Sequence, residues 1–442
     1  MADDDDASLD ALPGGLRRMW STARLTSRLG AKAAGRMLFR RTATDTEPAT
    51  ATETETAAAV AAATQLVAKM GQLKGLVMKA GQIASYMPGS LPPAAQQVMA
   101  QLQAQSAPMA FPRIADVLRA ELGAAPGELF ESIDAQPFAA ASIGQVHRAV
   151  YRGRAVAVKV QYPGIEDLIR SDLKMVGVIA RLSSVGSPID GGALASELRD
   201  RLVEECDYVR EAASQRTFAT LLAAIPGSHV PAVVAERSSR RVLTTELSAA
   251  RPLAELAAGT DQAARDRAGV IVFRSCFDLL WRRCIYNADP HPGNYLASAG
   301  GDVTFLDFGC VRRFEPSLIA SWKLLARSIL ANDRAAFATQ LDALGFIGKA
   351  KGFDFDYQLA AMRELYRPLL EPAFRFDAAF VARSFGTLMF DNPNKFRLAM
   401  PPAWLFLNRL QWGLYAVLAQ LGATGPWRRI IDDALDAPLD PA

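Results

Sequence analysis

The stretch Asn287-Ala-Asp289-Pro-His291-Pro-Gly-Asn294, followed thirteen residues on by Asp307-Phe308-Gly309, decides the reading of this chain. Asp289 and Asn294 stand five apart. Between Asn294 and Asp307 the sequence YLAS-AGGD-VTFLDF (295–308) reads as a short hairpin, which returns Asp307 toward the first loop. One carboxylate is thereby free to face a nucleophile, while an amide and a second carboxylate converge. Oxygen donors of that kind suit Mg²⁺, which prefers hard ligands. Asp289 is therefore the candidate catalytic base or water-positioning residue, and Asn294 and Asp307 are the candidate metal ligands. A lone Asp-Phe-Gly is as good as a turn. Preceded by D-x4-N at this distance, with a hairpin between, it is far rarer by chance.

The same spacing occurs in the catalytic and metal loops of protein kinases, and the rest of the chain agrees. It predicts an α+β, two-lobed kinase-like fold. Strand patterns at 138–150 and 155–161 flank a turn at 151–154, and further strands are expected at 230–236 and 241–247. Helical patterns occupy 58–86, 113–122, 166–183, 194–224 and most of the chain beyond Pro252. Lys159, within AVAVKV, is flanked by apolar residues and is the candidate cation for the phosphates of ATP. Its expected partner is Glu211, on the helical pattern EECDYVREAA, although a gap of 52 residues implies an insertion between strand and helix. Glu246, ending RVLTTEL, fits an interlobe hinge meeting adenine. Where a glycine-rich phosphate loop is expected, Ala139, Ala140, Ala141 and Ser142 stand instead, and alanine's Cβ disfavours the positive φ that glycine permits. No arginine precedes Asp289, and the chain passes quickly from Gly309 to a helix at 317–331. An activation segment and its peptide-docking surface are thus missing, which argues against phosphorylation of proteins in trans.

Composition sets the frame. With 442 residues, half of them hydrophobic, the chain exceeds one ordinary core and is not wholly disordered. A net charge of +3 excludes a chain-wide nucleic-acid-binding surface. Four cysteines without CxxC spacing and three histidines give no zinc or disulfide framework, so a reducing, cytoplasmic setting is expected. Residues 1–57 read as a tail: five aspartates, then a basic stretch at 16–41, then the low-complexity linker TATDTEPATATETETA (42–57). The basic stretch fits either a peripheral contact with an anionic membrane surface at its inner face or a solvated tail. Expected boundaries are 58–134 for a helical extension, 135–250 for an N-lobe with inserted helices, and 251–442 for a mainly helical C-lobe. The run Trp404–Leu421 is interrupted by Asn408, Arg409, Gln411 and Gln420, too often for a spanning helix.

Over roughly residues 60–425 the sequence resembles the UbiB/AarF family of atypical kinases, which support isoprenoid-quinone (ubiquinone) biosynthesis. Lys79-Ala-Gly81-Gln82 looks like the family's KxGQ signature, AAASIGQVHRA (139–149) like its alanine-rich loop, and Glu205-Cys-Asp207 like its ExD motif. A second KxGQ string at Lys69–Gln72 faces another way on a helix, and only the Lys79 copy precedes SYMPGSLP. The resemblance implies that Lys79 and Gln82 reach into the site as regulatory residues and meet Glu205 and Asp207. It also implies ATP and Mg²⁺ as cofactors, slow hydrolysis, and an isoprenoid-quinone precursor or other lipid as partner. Asn287 departs from the family, many of whose bacterial members carry His there. Two rival readings remain: a small-molecule phosphotransferase, and a nucleotide-switched scaffold.

Overall fold

A computed structural model describes residues 108–141, 143–167, 204–389, 391–399 and 401–442, without the side chains of 402–409. The tail, the basic stretch, Lys79, Gln82, Ser142, the helical pattern at 58–86, that at 166–183 beyond 167 and the start of that at 194–224 lie outside the described residues.

The first lobe is built on a five-stranded antiparallel sheet among the described residues. Helix α1 (Phe111–Leu122) precedes β1 (Ser132–Ile133), β2 (Ala139–Ala141), β3 (Gly144–Tyr151) and β4 (Arg154–Gln161). The β3–β4 turn works because Arg152 and Gly153 both take positive φ, 50° and 69°, matching a two-residue I′ hairpin. Alternation along β4 separates its faces. Val156, Val158 and Val160 pack with Ile114, Val117 and Leu118 of α1, so Lys159 projects to the opposite side. There it meets α2 (Tyr208–Leu222), whose Tyr208 and Ala212 form a second small core with Ile143 and Leu243. The strand expected over 138–150 is two strands, β2 and β3, paired antiparallel, so the chain folds back between Ala141 and Gly144. Gly144 is required at that reversal, since a Cβ there would lie 2.2 Å from the Val160 carbonyl oxygen.

The helix expected through 194–224 is interrupted. Asp207 leaves helical geometry and caps α2, accepting from the N–H groups of Val209 and Arg210. Only β5 (Ser228–His229) and an isolated bridge, Val233 to Thr245, replace the strand expected at 230–236, where Pro231 has no N–H to give. β6 (Val242–Glu246) then pairs with β4, setting Leu243 opposite Lys159.

After β7 (Arg251–Pro252), the long helix α3 (Gln262–Arg283) starts at an Asp261 cap and stops at Cys284 in the left-handed region. That stop delivers the chain directly into β8 (Ile285–Asn287) and the motif-bearing loop. β9 (Tyr295–Ala297) and β10 (Val303–Phe305) form the expected hairpin, and β11 (Val311–Arg313) returns to pair with β8. Helix α4 (Pro316–Ala331) follows almost at once, with proline in its first turn. Helices α5 (Pro402–Leu421) and α6 (Trp427–Asp436) close the second lobe against α3. Its core includes Phe273, Trp281, Tyr415 and Trp427, so the described part of the C-terminal aromatic run, Trp412 and Tyr415, is interior. No described helix is long and apolar enough to cross a membrane.

Candidate active site

The Lys159 ammonium projects from β4 into a ring of anions. Its Nζ lies 2.7 Å from Glu211 Oε1 on α2 and 3.6 Å from Asp307 Oδ2 on the loop after β10. The Tyr208 ring lies beneath it, 4.8 Å from the ammonium. The Glu211 side chain is 3% exposed and that of Lys159 17%. Burial pushes the Glu211 carboxyl up to about 7 against the downward pull of Lys159, and Asp307 adds to the rise. Burial works the other way on Lys159, yet the charges of Asp307 and Glu211 outweigh it and hold the ammonium well above its usual range. Burial also raises the Tyr208 phenol, which stays neutral. Glu205 belongs to the same cluster: a Cβ on Gly309 would be 3.7 Å from both Glu205 Cγ and Glu211 Oε2.

Across the hairpin, the loop 287–294 is held by its own hydrogen bonds. Asn294 Nδ2 donates to the Asp289 carbonyl at 2.9 Å and to its carboxylate at 3.3 Å, which orients a side chain belonging to a buried residue. The Asn294 carbonyl accepts from Leu306 N–H, linking the loop to the strand that carries Asp307. Asp307 Oδ1 accepts from Gly309 N–H at 2.9 Å, which leaves Oδ2 as the oxygen directed toward Lys159. His291 accepts from Gly293 N–H through Nδ1, so it shapes the loop. Phe308 is buried and packs on Phe218 of α2 at 5.2 Å, locking the Asp-Phe-Gly turn to the helix that bears Glu211.

The structure thus brings Lys159, Glu211, Asp307 and Glu205 into one cluster beside Asp289 and Asn294. Ala139–Ala141 form an edge strand laddered to β3, not an open loop. Glu246 has an exposed side chain, and its N–H is donated to the Ala232 carbonyl. Asp207 spends Oδ1 on the α2 cap. His147 is fully buried, bonded to the Asp134 carbonyl and to Gln145, and burial lowers its pKa, so it serves as a neutral strut.

Three residues with a hand in the site escaped the sequence reading. Tyr208 floors the ammonium. Asn287 braces both halves of the site, donating to the Asp307 carbonyl and accepting from Asp289 N–H. Gly413 of α5 lets that helix press on the loop, since a Cβ there would sit 2.6 Å from Pro290 Cγ. Asn287 carried a signal, an amide two residues before the aspartate. The other two are visible only once the elements pack.

Comparison with known proteins agrees with this fold. A family model described as an ABC1 atypical kinase-like domain matches residues 101–341. The chain is 33% identical over 380 residues to the atypical kinase COQ8B, mitochondrial, of Rattus norvegicus, covering 84% of this chain and 71% of that protein. It is 33% identical over 297 residues to the atypical kinase coq-8, mitochondrial, of Caenorhabditis elegans, covering 64% of this chain and only 38% of that protein. Among solved structures, the complex of Rv3197 with erythromycin from Mycobacterium tuberculosis matches with a TM-score of 0.64 at 28% identity, covering 88% of this chain and all of that one. The two-lobed α+β fold agrees with these similarities, and the chain belongs to the ABC1 atypical kinase-like family, the UbiB/AarF group.

Proposed function

We propose that this chain binds ATP with Mg²⁺ between its lobes and acts as an atypical kinase or ATPase serving isoprenoid-quinone or related lipid metabolism at a membrane surface. The observation that carries the reading is the Lys159–Glu211–Asp307 cluster, which supports a phosphate and metal site by the Asp289 loop. Kinase-type chemistry needs both the lysine–glutamate pair and the Asp-Phe-Gly aspartate in place.

The donor set fits Mg²⁺. Asn294 uses its nitrogen on Asp289, so its amide oxygen remains as a donor, and Asp307 supplies a carboxylate. These are hard oxygens of the kind Mg²⁺ takes alongside nucleotide phosphates. Asn294 and Asp307 would hold the ion, whose contribution is to neutralise charge on the β- and γ-phosphates. Lys159 neutralises the α- and β-phosphates, and Glu211 keeps it extended. Asp289 orients a water or acceptor hydroxyl, its own carboxylate steadied by Asn294. The edge strand Ala139–Ala141 and the turn with Ser142 would cover the phosphates, and the Glu246 segment would meet adenine. Lys79 and Gln82 would act as regulatory residues against Glu205, and against Asp207 through its uncapped oxygen.

The quinone pathway comes with the family resemblance. The short link from Gly309 to α4 supports activity on water or a small acceptor over a protein in trans. Purified protein with ATP and Mg²⁺, with and without anionic liposomes, tests the proposal. Phosphate should pass to water or lipid and not to added protein. Absence of any Mg²⁺-dependent stabilisation by ATP would sink it.

A further inference from the structure

The six residues between Gly309 and α4, Cys310-Val-Arg312-Arg313-Phe-Glu315, contain no Ser, Thr or Tyr. Kinase sites commonly depend on a phosphate added to this segment, which draws arginines together and thereby seats the glutamate-bearing helix. This link offers no hydroxyl to modify. An anion nevertheless stands between arginines at the corresponding junction.

Glu204 lies three residues before the Asp207 cap of α2. Its Oε2 accepts from Arg312 Nη2 of β11 at 2.8 Å, and its Oε1 lies 3.6 Å from Arg210 Nη1 of α2. The Arg312 side chain is 16% exposed and that of Glu204 30%, so solvent screens this pair less than an open surface pair. The segment holding Glu204 is itself anchored. Gln161, at the end of the lysine strand, donates Nε2 to the Cys206 carbonyl at 2.8 Å, and Asp207 N–H bonds back to the Glu204 carbonyl. The contacts close a circuit. Arg312 follows Gly309 by three residues, Glu204 precedes Glu211 by seven, and Glu211 and Asp307 meet on Lys159.

We propose that Glu204 is a built-in anion doing the work of an activation-segment phosphate: through Arg312 and Arg210 it clamps β11 to the start of α2 and keeps Lys159, Glu211 and Asp307 assembled without modification. Glu204 is a positioning residue, removed from the reacting atoms. The inference rests on the proposed nucleotide site for its purpose, but the clamp itself is a property of the unliganded chain.

Amide hydrogen exchange of the full chain without nucleotide is the direct test. Losing a partly buried arginine–carboxylate pair should speed exchange in peptides covering 204–213 and 307–313 by roughly threefold or more. Glu204→Gln and Arg312→Ala should act alike, and their double variant should do no more than either, as one interaction requires. Arg312→Lys, which keeps the charge, should fall between and guards against gross misfolding. Arg267→Gln, breaking the separate Arg267–Asp302 pair, should leave these peptides unchanged. In Glu204→Ala the two arginines keep their place, so inorganic phosphate at matched ionic strength should restore protection better than chloride does. MgATP half-saturation in a thermal-shift titration should rise in the same order as exchange. Wild-type exchange in both single variants, additive effects in the double variant, or phosphate no better than chloride would each overturn the clamp. A wild-type chain that fails to respond to MgATP, with the exchange pattern as described, would sink the nucleotide reading and leave the clamp standing.

Discussion

Replacing Lys159 by methionine should make the stability loss strongly pH-dependent. Methionine keeps the length and apolar stem but removes the charge that answers Glu211 and Asp307. With Nζ at 2.7 and 3.6 Å from those carboxylates, the gross attractions are roughly 5–6 kcal/mol each at an effective dielectric of about 20. Desolvation cancels much of that. Measured losses from removing one partner of a buried pair are about 3–5 kcal/mol, because the other charge stays buried alone. At pH 8 Glu211 is ionised in the wild type, whereas in the variant it must either keep its proton or ionise unpaired, so the loss is largest there. At pH 5 Glu211 carries a proton in both proteins, and the loss is of packing, the cation–π contact with Tyr208 and the attraction to Asp307. The Glu211 carboxyl stands at about 7 even with Lys159 present, against an ordinary value of 4.5. Without the lysine's pull it rises further. Between pH 4.5 and the folded value, the folded chain binds a proton that the unfolded chain has released. Stability therefore falls as pH rises, by at most about 1.4 kcal/mol per unit. In the wild type, the raised Lys159 pKa adds stability that is present throughout this range, below 10.5. Urea melts of both proteins at pH 5, 6, 7 and 8 should show a gap that stays level up to about pH 7 and widens above it, by at most about 1.4 kcal/mol per pH unit. A gap constant across that range would refute the picture of Glu211 as a buried carboxylate held charged by Lys159.

Asp307→Asn should weaken Mg-ATP binding at least tenfold, about 1.4 kcal/mol, in a thermal-shift titration, and equal shifts in mutant and wild type would remove the ligand assignment. Gly413→Ala should cost about 1–3 kcal/mol in a denaturant melt, since its Cβ would overlap Pro290, and should slow any ATP turnover by displacing the Asp289 loop. Gln145→Leu should cost about 1–3 kcal/mol, because the Met109 N–H and carbonyl that its amide pairs would lose their partner; an unchanged melting midpoint would show that the segment entering α1 is held by other means.

The legibility of the sequence followed the range of the interactions involved. The D-x4-N spacing, the hairpin and the following Asp-Phe-Gly are local, and the chain's own stereochemistry returns Asp307 toward Asn294. Strand alternation around Lys159 is equally local, since period two sends valines one way and the lysine the other. Helical period pointed toward Glu211, though the continuous helix assumed for that argument is broken at Asp207. A capping aspartate is readable in principle. Here the charged run on both sides of it carried a helical pattern of its own. The strand expected at 230–236 failed for a comparable reason, because Pro231 within an otherwise apolar run withdraws a donor from the ladder.

By itself the sequence determined the two-lobed plan, the motif residues and the missing activation segment, because each is written in spacing along one short piece of chain. Only the tertiary structure decided how charge is balanced. Asp307 joins Glu211 on Lys159, Arg312 and Glu204 pair from 108 residues apart, and Gly413 meets Pro290 across the second lobe. Which carboxylate answers which cation in a low-dielectric cleft depends on distances of a few ångströms. Packing of β4, α2 and β11 sets those distances, and no local pattern encodes them.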